Sequence, residues 1–300
     1  MKFIILTVLI AVSTPGLCQR IAITFDDAPT QDTPVLSEAE RAKKILSTLK
    51  QHYIKQAGFF VITGNIHKNN EKILRDYANA GHVLGNHSHT HLSPSAVSID
   101  AYNADVVKAD SVMKSLHGSV SFYRYPFLNE GRTKEKRDSI RSQLAALNLA
   151  NGYVTVDNYD WFLNGELRKA VQAGKKVNYE KLKKIYIDHI FQSILFYDAI
   201  AVRYLGRSPN HVLLLHENDL AALFLGDLLT HLRNSGWKFI DLLEAYNDPI
   251  AKKIPDVLFN GQGRVAALAV EKGGVPKDLV QESEDEEYLR ELLLREKVFE

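Results

Sequence analysis

The sequence predicts an α/β protein built on a mainly parallel sheet, and three observations carry that expectation. Short β-branched or aromatic runs alternate with amphipathic stretches from residue 21 to about 243, the pattern of parallel strands joined by helices. Most of those runs are near-continuously apolar, as strands covered on both faces are. The 300 residues are 45% apolar and 24% charged, an ordinary globular composition that excludes collagenous and low-complexity chains.

In chain order, the first element is a segment outside the fold. Lys2 precedes an apolar run over residues 3–12, followed by Gly16 and Cys18, which reads as a secretory signal over 1–18. The run is shorter than the roughly 20 residues a bilayer span needs, so no transmembrane segment is expected in the mature chain. A lipid anchor on Cys18 is disfavoured by the bulk of Leu17 before it. Export to the periplasm or outside the cell follows as the expectation. Removal of 1–18 takes away the single cysteine, so stability must come from packing and any bound metal. The whole chain sets 37 Lys and Arg against 36 Asp and Glu, a balance that argues against nucleic acid as a partner.

Seven strands are expected at 21–25, 58–62, 82–85, 120–124, 152–156, 212–215 and 237–240. Between them, Ser37 with Glu40 forms a capping box, Asn70 opens a second helix that Gly81 stops, and Ser98 opens a third that runs to Gly118. Residues 162–206 lack a strand signal, and 178–206 reads as one long helix, so 162–206 is expected to be a helical insertion in a domain spanning 19–250. The C-terminal extension 251–300 reads as loop around Gly261, Gly263, Gly273 and Gly274. An acidic run at 282–287 then leads a short docking helix through Leu289, Leu292, Leu293 and Leu294.

Parallel sheets collect reactive groups at the carboxyl ends of their strands. Here those ends carry Asp26 and Asp27, then His87, His89 and His91, then Arg124 to Phe127, then Asp157 to Trp161, and His216. Histidines four apart share a helical face, so His87 and His91 could hold a metal with a carboxylate such as Asp27. His89 could instead pair with either neighbour in an extended segment. Adjacent acids often act only as turn formers, but two carboxylates this close repel unless a cation or an arginine such as Arg124 lies between them.

The segments Thr24-Phe25-Asp26-Asp27-Ala28-Pro29, His87-Ser88-x-x-His91, Arg124-x-Pro126, Asp157-x-x-Asp160-Trp161 and Leu214-x-His216 resemble the five ordered motifs of the polysaccharide deacetylases, the NodB homology family also called carbohydrate esterase family 4. Residues 57–61 resemble the family's second strand, and the likeness covers roughly 21–246 apart from the insertion. The resemblance implies a distorted (β/α) barrel of about seven parallel strands and a divalent metal, with zinc foremost and cobalt, nickel or manganese as alternatives. It makes Asp27, His87 and His91 the metal ligands, Asp26 the base and Arg124 its support. It also makes His216 the acid oriented by Asp160, with Trp161 and Leu214 lining the acetyl pocket and the Phe127 N–H entering an oxyanion hole. Ala28 stands where the family usually has glycine, and Phe127 where tyrosine is frequent.

Elementary chemistry is consistent with that division. Amide hydrolysis at neutral pH needs an activated water, preorganised positive charge for the oxyanion and a proton for the leaving amine. The expected activity is hydrolytic removal of acetyl groups, N-acetyl foremost, from a glycan such as chitin or peptidoglycan. Two alternatives accompany it: hydrolysis of a small non-sugar amide or imide at the same site, and glycan binding without catalysis.

Overall fold

The computed structural model describes residues 19–300, so the expected signal over 1–18 lies outside the described residues. Seven parallel strands form one sheet: β1 (Arg20–Ala28), β2 (Gly58–Val61), β3 (Val83–Asn86), β4 (Ser119–Tyr123), β5 (Ala150–Asn151), β6 (Asn210–His216) and β7 (Lys238–Phe239). Their order is β5-β4-β3-β2-β1-β6, with β7 pairing β1 beside that path. The sheet curls into a half-barrel with helices around it, the distorted barrel foreseen from the motifs. β1, β2, β3 and β6 are almost wholly buried, in keeping with the apolar runs at their centres.

One expected strand is not formed as such. Residues 152–156 leave the sheet because they change partners. Gly152 N still donates to Tyr123 O at 2.7 Å, whereas Thr155 N donates to Val212 O at 3.0 Å and Leu214 N to Val156 O at 3.1 Å. This crossing segment bridges the two edges of the half-barrel through Val156 and Leu213. It thereby delivers residues 157–161 to the same end of the sheet as His216.

The helices are α1 (Glu38–Gln51), α2 (Glu71–Asn79), α3 (Ile99–Met113), α4 (Lys134–Ala146), α5 (Asp160–Gln172), α6 (Tyr179–Leu205), α7 (Asp219–Asn234), α8 (Leu242–Ala245), α9 (Gly263–Glu271) and α10 (Glu286–Arg295). The Ser37–Glu40 capping box and the Ser98 cap form as expected. Asn70 precedes α2 without capping it, because its side chain is committed to His67 N and Asn65 O. The third helix ends at Met113 rather than at Gly118.

Asn178 caps the long α6, and Gly206 in the left-handed region ends it. Among the described residues, α6 alone is long and apolar enough to cross a membrane. Leu182, Ile190, Ile194, Tyr197 and Ala201 bury one face of it in the core instead.

The extension departs from the expected loop, since α9 runs through it with Val265, Ala266 and Ala269 fully buried. Its glycines bracket that helix rather than unravel it. At the end of the chain, α10 docks through buried Leu289 and Leu293, while Leu294 is 68% exposed and points away.

Candidate active site

The ends of β1, β3, β4 and β6 and the crossing segment converge on one cavity of about 340 Å³, lined by Asp26, Asp27, His87, His91, Phe127, Asp157, Tyr159, Trp161, Leu214 and His216, with Leu128, Gly261 and Gln262. That size is at the small end of ligand pockets. Among the described residues, eight non-glycine positions have positive φ, and five of them, Asp27, Ser88, His91, Phe127 and Leu128, belong to this site or its loops. Backbone held in such sparsely populated conformations is characteristic of sites that fix functional groups in place.

Asp27, His87 and His91 offer ligand atoms all within 4.8 Å of one another. The Nε2 atoms of both imidazoles lie 3.5 Å from Asp27 Oδ1. His87 and His91 do not share a helix face as their spacing suggested. Ser88 and His91 adopt left-handed backbone, and His91 N donates to Ser88 Oγ at 2.8 Å, so a tight turn brings the rings together. His89 turns elsewhere, with Nδ1 2.9 Å from Thr63 Oγ1 and its N–H on Asp105, so the extended pairing is not adopted.

The donor set fits a cation. His87 Nδ1 lies 2.9 Å from Arg124 O, which can only accept, so Nδ1 carries the proton and Nε2 is a bare lone pair. Burial first, and then the neighbouring His91, hold His87 well below the ordinary histidine range, and burial likewise lowers His91. Asp27 Oδ1 is buried and, among the described residues, has no hydrogen-bond partner. The His87 Nε2 lone pair and Asp27 Oδ1 thus face one point as acceptors, with His91 Nε2 at the same distance from that carboxylate oxygen, and two facing acceptors repel until positive charge enters. Their 3.5 Å spacings are close to the roughly 3.4 Å edge of a tetrahedron built on bonds of about 2.1 Å.

Asp26 stands beside this cluster and is tied to the scaffold. Arg124, fully buried, donates from Nη1 to Asp26 Oδ1 at 2.6 Å and to Thr24 Oγ1 at 3.0 Å, from Nε to Gly152 O at 2.6 Å and from Nη2 to Tyr246 OH at 3.2 Å. Its guanidinium also lies over the Phe60 ring. Burial raises the Asp26 pKa to about 6 against the opposing pull of Arg124. The other carboxylate Oδ2 lies 3.7 Å from His87 Nε2.

His216 Nδ1 lies 2.6 Å from Asp160 Oδ1, while Asp160 Oδ2 accepts from His216 N and from Asn218 Nδ2. Burial works against the charged ring, but the Asp160 carboxylate outweighs it and pushes His216 up to about 10. Leu214 is buried, whereas Trp161 and Phe127 are 41% and 57% exposed. Among the described residues, the Phe127 N–H makes no turn or loop hydrogen bond.

Apart from His89, the residues singled out from the sequence for the chemistry therefore lie at or against this one cavity, with Arg124 and Asp160 as the supports behind it. Tyr246, Tyr159, Gly261 and Gln262 were missed. Tyr246 and Tyr159 sit next to recognisable segments without a pattern of their own, and the last two lie in the extension, where no spacing ties them to the motifs.

The polysaccharide deacetylase family model matches residues 14–147, which hold Asp26, Asp27, His87, His91 and Arg124 and end before Asp160 and His216. The peptidoglycan-N-acetylglucosamine deacetylase of Bacillus cereus is 36% identical over 118 residues, 39% of this chain and 39% of that protein. The peptidoglycan-N-acetylmuramic acid deacetylase of Bacillus subtilis is 23% identical over 252 residues, 83% of this chain and 75% of that protein. The chain thus spans about two fifths of the length of the first relative and three quarters of the second. In fold it is similar to a pseudoenzyme of carbohydrate esterase family 4 from Bacillus anthracis, with a TM-score of 0.53 at 18% identity over 76% of this chain and 66% of that one. It is also similar to a family 4 carbohydrate esterase from Streptomyces lividans, with a TM-score of 0.50 at 19% identity over 76% of this chain and 95% of that one.

Proposed function

We propose that this chain, which belongs to the polysaccharide deacetylase family, is exported and hydrolyses acetyl groups, N-acetyl foremost, from a glycan such as peptidoglycan or chitin. The observation that carries this reading is the convergence of Asp27, His87 and His91 at one point of a cavity that Asp26 and His216 also line. Both relatives described above are named as peptidoglycan deacetylases, which supports the substrate class. The short apolar run at residues 3–12 supports export.

Asp27, His87 and His91 are the residues to hold a divalent ion, zinc foremost for a set of two imidazoles and one carboxylate. When bound, such an ion lowers the pKa of water and offsets negative charge on a carbonyl oxygen. Asp26 accepts the proton of the attacking water, and Arg124 keeps that carboxylate aimed and charged. The Phe127 N–H donates to the developing oxyanion. His216 presents Nε2 to the cavity because Nδ1 is engaged by Asp160, so Nε2 is the atom that hands a proton to the departing amine. Leu214 and Trp161 wall the space for the acetyl methyl.

A purely glycan-binding role is disfavoured because the base, all three ligands and the acid are present together. The test is acetate release from N-acetylated chitooligosaccharides and peptidoglycan fragments with added Zn²⁺. Wild type should release acetate and Asp26→Asn should lose at least about a hundredfold in rate. Equal release by the variant would overturn the assignment.

A further inference from the structure

The site is completed from outside the segment that carries the motifs. Gly261 and Gln262 line the same cavity as Asp26 and His216, although they belong to the extension, more than 110 residues beyond the last position of the family match. That stretch is fixed to the site. Asn260 Oδ1 accepts from Glu130 N at 2.9 Å, its Nδ2 donates to Gly131 O at 3.0 Å, and Gly261 N donates to Leu128 O at 3.2 Å. The extension is thereby sewn to the turn that holds Phe127.

On the other side of Gln262, Arg264 N donates to Val154 O at 2.8 Å. Gly263 sits at φ +80 so close to that crossing segment that a Cβ would meet Val154 O and Cγ2 at 2.8 Å. Backbone anchors therefore flank Gln262 on both sides, yet its own side chain is uncommitted. It stands at the start of α9 without capping it, and its carboxamide makes no hydrogen bond among the described residues.

The groups already assigned account for the acetyl group and the scissile bond, but not for the sugar that carries them. Phe127 and Trp161 offer exposed rings, which suit the faces of a sugar but not its hydroxyls. A carboxamide supplies two donors and an acceptor without charge, a match for neutral hydroxyl groups. Held on immobile backbone, it binds without a large ordering cost.

Resting on the deacetylase reading, we propose that Gln262 is a specificity-determining residue that hydrogen-bonds a hydroxyl of the glycan, so that the extension selects oligosaccharides over small acetyl compounds. The test compares wild type, Gln262→Ala and the similarly sized Gln262→Leu, all loaded with Zn²⁺. Binding of tetra-N-acetylchitotetraose is measured by calorimetry, and acetate release from it alongside hydrolysis of 4-nitrophenyl acetate.

Both variants should raise Kd and KM for the oligosaccharide roughly three- to tenfold, the loss of about one hydrogen bond, with kcat and the aryl ester rate within twofold of wild type. Unchanged oligosaccharide binding would overturn the inference, as would an equal loss on the aryl ester, which indicates a disturbed site. Wild type that does not bind the oligosaccharide overturns it too. If wild type binds without releasing acetate, the deacetylase reading fails on that substrate, and the Kd comparison still decides the role of Gln262.

Discussion

Arg124 Nη1 lies 2.6 Å from Asp26 Oδ1, joining residues 98 positions apart with neither side chain open to solvent. Removing the guanidinium leaves a buried carboxylate uncompensated and unaimed. Arg124→Met should cost about 3–5 kcal/mol of stability and at least about a hundredfold in acetate release. Arg124→Lys should recover part of the stability and little of the rate, since an ammonium cannot serve Asp26, Gly152 O and Tyr246 OH at once. Chemical denaturation and steady-state kinetics on the two variants check both statements.

Asp160 acts through His216, fixing its Nδ1 and with it the atom that faces the cavity. Asp160→Asn should lower kcat by about 10²–10⁴ with a much smaller change in KM, because it alters the orientation and basicity of the ring and not the room for substrate. A KM effect as large as the kcat effect would place Asp160 in binding.

Glu217 gives a pH-dependent stability that is separate from the chemistry. Its buried carboxyl accepts from Thr30 N and Tyr77 OH, and burial raises its pKa from 4.5 to about 7. Below about 4.5 both folded and unfolded chains keep the proton. Between that value and about 7 only the folded chain keeps it, so stability falls as pH rises. The full loss is roughly 3 kcal/mol and is complete above 7. Denaturation of wild type and Glu217→Gln from pH 4 to 8 should show the wild type losing about that much more than the variant over this window.

The C-terminal helix is load-sharing at two leucines and idle at a third. Leu289→Ala, at a fully buried position, should cost about 2–5 kcal/mol. Leu294→Ala, at a position 68% exposed, should stay within about 0.5 kcal/mol. Thermal denaturation of the pair tells a docked helix from a loose tail.

How much of this was legible beforehand follows from what each signal measures. Apolar runs located six of the seven strands, four of which, β1, β2, β3 and β6, are buried almost throughout. The run at 152–156 has the same composition, but it crosses from Tyr123 to Val212, and composition does not record a change of partner. The polar residues at strand ends marked the site, since a parallel sheet gathers them at one edge. Spacing placed His87 and His91 together but suggested a helix, because the left-handed turn at Ser88 leaves no trace in a count of four. Gln262 was invisible: glycines around α9 read as loop, and its place in the cavity is set by contacts of Asn260 and Gly261 with residues about 130 positions away.

Metal stoichiometry measured after equilibrium dialysis against Zn²⁺, on wild type, Asp26→Asn and Asp27→Ala together with their acetate release, bears most directly on the central claim. One ion per chain in wild type and in Asp26→Asn, none in Asp27→Ala, and acetate release by wild type alone is the predicted result. An Asp27→Ala protein that keeps both its ion and its activity would contradict the account.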